Sequence, residues 1–529
     1  MRLGIDFGTT RIVVAAADRG NYPVVAFECP DGAAREWVPP LIALRGGERL
    51  YGWQAWALQG APGVTLVRSL KRVLADAGPG TLINLGPAAL PLQALLGEML
   101  AALRTQLLEA SSLSVRPGEP LEVMLGVPAN ANSNQRFLTV EGFRAGGFEV
   151  LGLLNEPSAA SIEYAHRLGE ADQQAPEHIL VYDLGGGTFD ASLVERSGVS
   201  HTVLATESIP TLGGEDFDEA LAELALALAG RAQERHGFSA AEEFLLLEEC
   251  REKKESLHPN TRRLIIDLDG VREGWGQLTV PVAEFYEACK PLVEETLHAT
   301  DDLLARTGLA EPPSLYITGG ASELPLVSRL LRERFGRRVK RSAYTRAATA
   351  IGLAIQADAQ AGYRLRENFT RWFGVWREAD QGRLMVFDSL FDKGTPLPAA
   401  GEPPLARTRR YQPVHNIGHF RYLECTHRDS HGAPFGDVTA WDEIRFPFDP
   451  SLARRPAAEL EHLPVIHSAD AARHWIEERY EAGPHGGVSV TIANLTAGYN
   501  RTYRLGRWAD QPVAVSPQKS PRRRKRAAE

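Results

Sequence analysis

"VYDLGGGTFD", Val181–Asp190, sets an apolar run, a carboxylate, three consecutive glycines and a threonine side by side. Glycine admits positive φ and lets backbone N–H groups approach a neighbour with no Cβ in the way. Extended on both sides to "HILVYDLGGGTFDASLVE" (178–195), the stretch reads as strand, acid, glycine–threonine turn and second strand. The N-terminal "RLGIDFGTTRIVVAAAD" (2–18) has the same plan, with Asp6 in the place of Asp183. Each copy is followed later by an apolar strand, a turn and an amphipathic helix: "LEVMLGVPANANSNQRFLTVEGFRAGG" (121–147) and "SLYITGGASELPLVSRLLRERFG" (314–336). The chain therefore looks internally duplicated, with two α/β halves facing each other across a cleft at their strand ends.

Between residues 213 and 308 the pattern turns mainly helical, with a short strand pair around 264–282, and reads as an insertion into the second half. An Ala-rich helix near 346–361 stops at Gly362, where a domain boundary is expected. Beyond it, from 363 to 508, "WFGVWRE", "RLMVFDSLF", "HFRYLECTH", "GVSVTIANL" and "NRTYRLGRW" predict a β-rich module. Within that module "SADAARHWIEERYEAG" (468–483) reads as a helix, with Ser468 as its N-cap.

Composition sets the broad class. A chain of 529 residues with 44% hydrophobic and 24% charged residues, and no apolar run of bilayer length, is expected to be soluble and to hold several domains, with no membrane partner. The N-terminus enters a strand pattern at once, so no signal peptide is expected. Cys29, Cys250, Cys289 and Cys425 form no C-x-x-C pair, which fits a reducing cytoplasm. The net charge of -9 argues against general nucleic-acid affinity. The basic tail is the exception: residues 509–529, including Lys519–Arg526, read as a solvated, disordered tail or as an anchor for an acidic partner or nucleic acid.

The two turns carry the candidate chemistry. Successive N–H groups in a glycine turn form an anion-binding concavity, so Gly185, Gly186 and Gly187 suit phosphate oxygens, Thr188 adds a hydroxyl, and Asp183 suits a hydrated Mg²⁺. A triple glycine by itself is also what a tight turn looks like. A second cradle of Asp6, Gly8, Thr9 and Thr10 facing the first decides for a nucleotide-phosphate clamp.

"GIDFGTT", "VYDLGGGTFD", "LLNEPSAAS", "TLGGEDFD" and "YITGGASELP", in this order over residues 1–362, resemble the ATPase domain of the 70-kDa heat-shock protein family. The resemblance implies a duplicated actin-like fold with RNase H-like halves, followed by the β-rich domain. It also implies ATP and ADP as ligands with Mg²⁺, held largely through water by Asp6, Asp183 and Glu156. Lys71 then resembles the catalytic lysine that orients the attacking water, and Glu156, Asp183 and Thr188 complete the catalytic set. Gly213, Gly214 and Glu215 correspond to phosphate contacts at a helix start, Lys254 to a nucleoside contact from the insertion, and Gly319 and Gly320 to the adenosine turn. Outside this family Lys71 would pass for a surface lysine, and Glu156 before Pro157 for a helix start.

Departures from the family pattern accompany the match. Arg11 follows the first cradle where the family has a neutral residue near a monovalent cation; either that ion or the guanidinium is expected there. Ala321-Ser322-Glu323 replace Ser-Thr-Arg, and Arg346 replaces an aspartate. Pro128, Gln135 and Arg136 match family positions linked to signalling between domains, but "GYRLRENFTRW" (362–372) stands where an acidic, leucine-rich linker is expected. The β-rich module resembles the family's substrate-binding sandwich through "FGVWRE" and "LFDKGTPLP", and no helical lid is expected after it. The implied partners are an unfolded peptide or a dedicated protein client, with a co-chaperone. A small-molecule kinase, a nucleotide-gated filament protein and a nucleotide-binding adaptor remain alternatives on the same scaffold. His415, His419, Cys425, His427 and His431 offer zinc-suited side chains, with Cys425 and His427 expected on one strand face, although their spacing matches no standard module.

Overall fold

The computed structural model describes residues 1–68, 70–78, 80–86, 88–168, 177–309, 313–379, 384–399, 401–484 and 486–506. The basic tail expected at 509–529 lies outside them. The chain divides into a first compact unit, Met1–Arg371 with Lys393–Ala399, and a second formed by Trp372–Asp392 and the described residues from 401 onward.

In the first half, β1 (Arg2–Phe7) and β2 (Ile12–Ala16) form a hairpin, with β3 (Glu122–Val127) and β4 (Glu149–Asn155) parallel to β1. The sheet order is β4-β3-β1-β2. Its strands are apolar almost throughout because helices cover them: α1 (Leu92–Glu109) packs on α2 (Ser133–Ala145), while α3 (Glu156–Arg167) lies against the helix Ala348–Ala357. The second half repeats the plan. β5 (Glu177–Leu184) and β6 (Phe189–Ser197) form the hairpin, β7 (Ser200–Ile209) extends it antiparallel, and β10 (Ser314–Thr318) runs parallel to β5. Residues 364–366 add a further strand beside β7, so the first unit runs past the boundary expected near residue 362.

The insertion comprises α4 (Gly214–Leu228), α5 (Ala240–Glu255), the hairpin β8 (Arg263–Asp267) with β9 (Gln277–Pro281), and α6 (Val282–Thr307). Helical spacing places Leu221, Ala225, Leu246, Cys250, Phe285 and Cys289 in one core. Ser239 caps α5 in a reciprocal bond with Glu242, and Gly308 ends α6 in the left-handed conformation. All four cysteines are buried and stand outside any disulfide. Among the described residues no helix is long and apolar enough to cross a membrane.

The second unit is two four-stranded antiparallel sheets packed face to face, built from the strands at 372–379, 384–391, 417–428 and 434–447 and from those at 405–411, 476–482, 488–494 and 499–505. Two expectations fail here. Residues 468–483 are not a helix: only Ala471–Arg473 make a single 3-10 turn, and Ile476–Ala482 is a strand whose burial alternates. Ser468 is not a helix N-cap: its Oγ accepts from the Ala471 N–H at 3.2 Å, but the residue at the N-cap position of that single turn is Asp470. Cys425 and His427 do not share a face either, because a bulge between them turns Cys425 into the core and His427 outward. His419 pairs with Glu443 and His415 lies against His467, and no three metal-ligating side chains converge among the described residues.

Candidate active site

Both hairpin turns close in the same way. The Gly8 N–H donates to the Arg11 carbonyl at 2.9 Å, and the Gly185 N–H to the Thr188 carbonyl at 2.9 Å. They line the two sides of a cleft of about 870 Å³ that also contains Asp6, Lys71, Glu156, Asp183, Gly214, Lys254, Gly319 and Gly320. The turns touch: a Cβ on Gly186 would fall 2.6 Å from Thr10 Oγ1 and 2.9 Å from Thr9 Oγ1. Gly319, at φ +84°, lies so close under β5 that a Cβ would stand 2.3 Å from the Leu184 carbonyl oxygen and 2.5 Å from Asp183 Oδ1. Every residue expected from the sequence to take part in catalysis or to hold nucleotide or Mg²⁺ lines this cleft except Gly213 and Glu215.

Those two have other work. The N–H groups of Gly214 and Glu215 donate to the carbonyls of Gly185 and Gly186 at 2.9 and 2.8 Å, and the Gly213 N–H donates to Asp216 Oδ2 at 2.7 Å. The start of α4 thus braces the glycine turn with donors that a free helix end would leave open. Arg72 adds a second brace, donating from Nη2 to the Gly187 carbonyl at 3.2 Å and pairing through Nε with Glu215 at 3.2 Å. Lys254 is similarly engaged, with Nζ 2.6 Å from both the Gly214 carbonyl and Asp218.

The floor of the cleft is a buried charge cluster. Lys71, on the one-turn helix Leu70–Val73, donates from Nζ to Glu156 Oε1 at 2.6 Å. Glu156 opens α3, with Asn155 before it and Pro157 after it. Asp183 at the end of β5 is paired across the hairpin with Asp190 on β6, which accepts from the Ala129 N–H and the Ser208 hydroxyl. Burial first, and Glu156 second, raise the carboxyls of Asp6 and Asp190 to about 7, and the same causes with Asp190 and Asp6 raise Asp183 well above its ordinary value. Burial would pull the Lys71 ammonium down, but Glu156 and Asp6 outweigh it and hold it above its ordinary value.

This excess of carboxylate over ammonium, all of it oxygen, suits a hard divalent cation such as Mg²⁺. Asp190 escaped the sequence reading although it stands in the quoted stretch. A hairpin centred on Gly186 and Gly187 sets Asp183 opposite Asp190, and that symmetry was the available signal. Arg251 and Glu255 also line the cleft; Arg251 lies three residues before Lys254 and four before Glu255 on one helix, a spacing that would have flagged them. Arg11 pairs with Glu255 and lies over Trp37 at 4.7 Å. Arg136 Nη2 donates to Asn155 Oδ1 at 2.6 Å, and the Asn155 N–H donates to Glu367 Oε1 at 2.9 Å, tying the residue before Glu156 to the segment that leaves the unit.

The family model described as Hsp70 protein matches residues 98–370, more than half of the chain. A protein of Bordetella petrii named Chaperone protein HscA homolog is 32% identical over 381 residues, 69% of this chain and 59% of that protein. A second Chaperone protein HscA homolog, from Methylibium petroleiphilum, is 32% identical over 383 residues, 68% of this chain and 58% of that protein. The chain thus spans less than three fifths of the length of these curated relatives. With two mixed sheets repeating one plan, a β-rich C-terminal part and this match, the chain is a duplicated actin-like fold and belongs to the Hsp70 family.

Proposed function

We propose that the chain is an Mg²⁺-dependent ATPase of the Hsp70 chaperone type, working in the cytoplasm. Its nucleotide state controls the β-rich second unit, which holds an unfolded peptide or a dedicated protein client, with a co-chaperone as partner. The observation that supports this reading best is the Lys71–Glu156 pair, 2.6 Å long and buried among Asp6, Asp183 and Asp190 between two closed glycine–threonine turns.

Transfer of a phosphoryl group to water asks mainly for positioning and charge neutralisation. The turns at Gly8–Thr10 and Gly185–Thr188 hold the triphosphate between the halves. Lys71 Nζ, fixed by Glu156, orients the attacking water and the terminal phosphate, and the Thr188 hydroxyl donates to a phosphate oxygen. The water's proton passes to a carboxylate oxygen of the Asp183–Asp190 pair as the bond from phosphorus to the leaving oxygen breaks. Bound Mg²⁺ would neutralise phosphate charge near Asp6, Glu156 and Asp183. Gly213 and Glu215 support the clamp from behind, and Lys254, Gly319 and Gly320 border the nucleoside end. Steady-state ATP hydrolysis with and without an unfolded peptide tests the reading. Mg²⁺-dependent turnover that rises with peptide is expected, and a preparation that binds no nucleotide would remove it.

A further inference from the structure

The end of the cleft beyond the glycine turns is occupied by a run of ion pairs that crosses the first half, the insertion and the second half. Arg11 pairs with Glu255 at the end of α5. Glu255 also takes Arg346 Nη1 at 3.2 Å, Arg346 Nη2 pairs with Glu323 at 2.6 Å, and Glu323 accepts from Thr345 Oγ1 at 2.6 Å. The surrounding polar groups are committed as well. Ser322 Oγ donates to the Gly319 carbonyl at 2.6 Å, Lys254 is held by Gly214 and Asp218, and Arg251 pairs with Glu248 while lying over Trp56 at 4.9 Å. No aromatic ring lines the cleft among the described residues, and the nearby face of Trp37 is covered by Arg11. Arg11 Nε is a buried donor without a partner.

Reading a nucleobase by its edge requires polar groups that stay unpaired until the base arrives; such sites discriminate by roughly four to five orders of magnitude. Here the carboxylates that could accept from a base are held by guanidinium groups in charge-assisted bonds, which a neutral amino group does not displace. What this end still offers is the flat guanidinium of Arg346 and the N–H of Arg11. A guanidinium stacks on any base, because every base has a π-face, and every nucleoside has an acceptor for one N–H.

We propose that the cleft selects its ligand by the polyphosphate and is indifferent to the base, so that ATP, GTP and CTP are interchangeable in it. This rests on the reading of the cleft as a nucleoside triphosphate site. Titration calorimetry of the full chain with the magnesium complexes of ATP, GTP, CTP and inorganic tripolyphosphate tests it. The three nucleotides are expected to bind within about tenfold of one another, and tripolyphosphate measurably. ATP binding tighter than GTP and CTP by about a hundredfold or more would overturn the proposal and leave the triphosphate reading standing. If all four fail to bind, both fall.

Two variants separate the ion-pair run from a merely structural role. Arg346→Ala releases the Glu323 carboxylate from its guanidinium partner, while Glu255 keeps Arg11, and the released carboxylate can accept from the adjacent N–H donors of guanine, so the ratio of affinities should shift toward GTP by about tenfold. Glu323→Gln supplies an amide that pairs with adenine, and should shift the ratio toward ATP. Ratios unchanged in both variants would overturn the claim that pairing silences this end.

Discussion

Two buried charge clusters, one in each compact unit, are built on opposite principles. In the cleft of the first unit, Asp6, Glu156, Asp183 and Asp190 share one ammonium, Lys71, and the carboxyls of Asp6, Asp183 and Asp190 are pushed upward. In the second unit, Arg377 holds Glu478 by two bonds of 2.6 and 3.1 Å and Asp388 by one of 2.7 Å, while Arg409 holds Asp388 by two more. Tyr411 and Tyr480 donate to the remaining oxygen positions of Glu478, which is fully buried. There two guanidinium groups balance two carboxylates, and Asp388 lies below its ordinary value because its hydrogen bonds to Arg409 and Arg377 outweigh burial. A satisfied cluster is scaffold. An unbalanced one retains affinity for a cation and for anions bridged through it, and marks a site.

Breaking the balanced cluster should have the largest effect. Arg377→Ala leaves Glu478 buried without a counter-charge and is expected to cost about 3–5 kcal/mol, read as a shifted denaturation midpoint of the second unit. A loss under about 1 kcal/mol would mean that the cluster is solvated and the contrast false.

Next comes the unbalanced cluster. Lys71→Ala should lower ATP turnover by about a hundredfold, or about 2.7 kcal/mol, with the melting of the second unit unchanged. Unaltered hydrolysis would take Lys71 out of the mechanism.

The smallest effect, and the one that sharpens the comparison most, is the pH slope. Asp190 binds its proton more tightly folded, at about 7, than unfolded, at 3.8. Its stabilising contribution is therefore full below pH 4 and is lost as pH rises toward 7. Asp388, shifted downward, contributes the reverse: stability present above 3.8 and lost as pH falls below it. Asp190→Asn should flatten the loss of stability between pH 4 and 7 in the metal-free protein. Thermal melts across that range check it, and an unchanged slope would mean that Asp190 titrates normally.

The second unit also holds a strand where the spacing predicts a helix. In "HWIEERYEAG" (474–483) a period-two reading points Glu478 inward beside Ile476 and Tyr480, an arrangement that patterning rules reject. A helical reading avoids that burial. Arg377, 101 positions earlier, supplies the counter-charge that makes the inward glutamate acceptable. The bulge between Cys425 and His427 is a similar case, set by pairing with the strand at 434–447.

What the sequence determined alone is local and periodic: the two acid–glycine–threonine hairpins, the strand–turn–helix units after them, the helical insertion and its caps, and Gly319. Such features follow from backbone sterics and from spacing along one element, which neighbours in sequence decide. The tertiary structure decided which groups share charge. Lys71 meets Glu156 from 85 positions away and Arg11 meets Glu255 from 244. The N–H groups at the start of α4 look like free donors in sequence and are consumed by the glycine turn in space. Desolvation and charge pairing set these outcomes, and both depend on which side chains the fold brings together, a quantity that spacing along the chain does not carry.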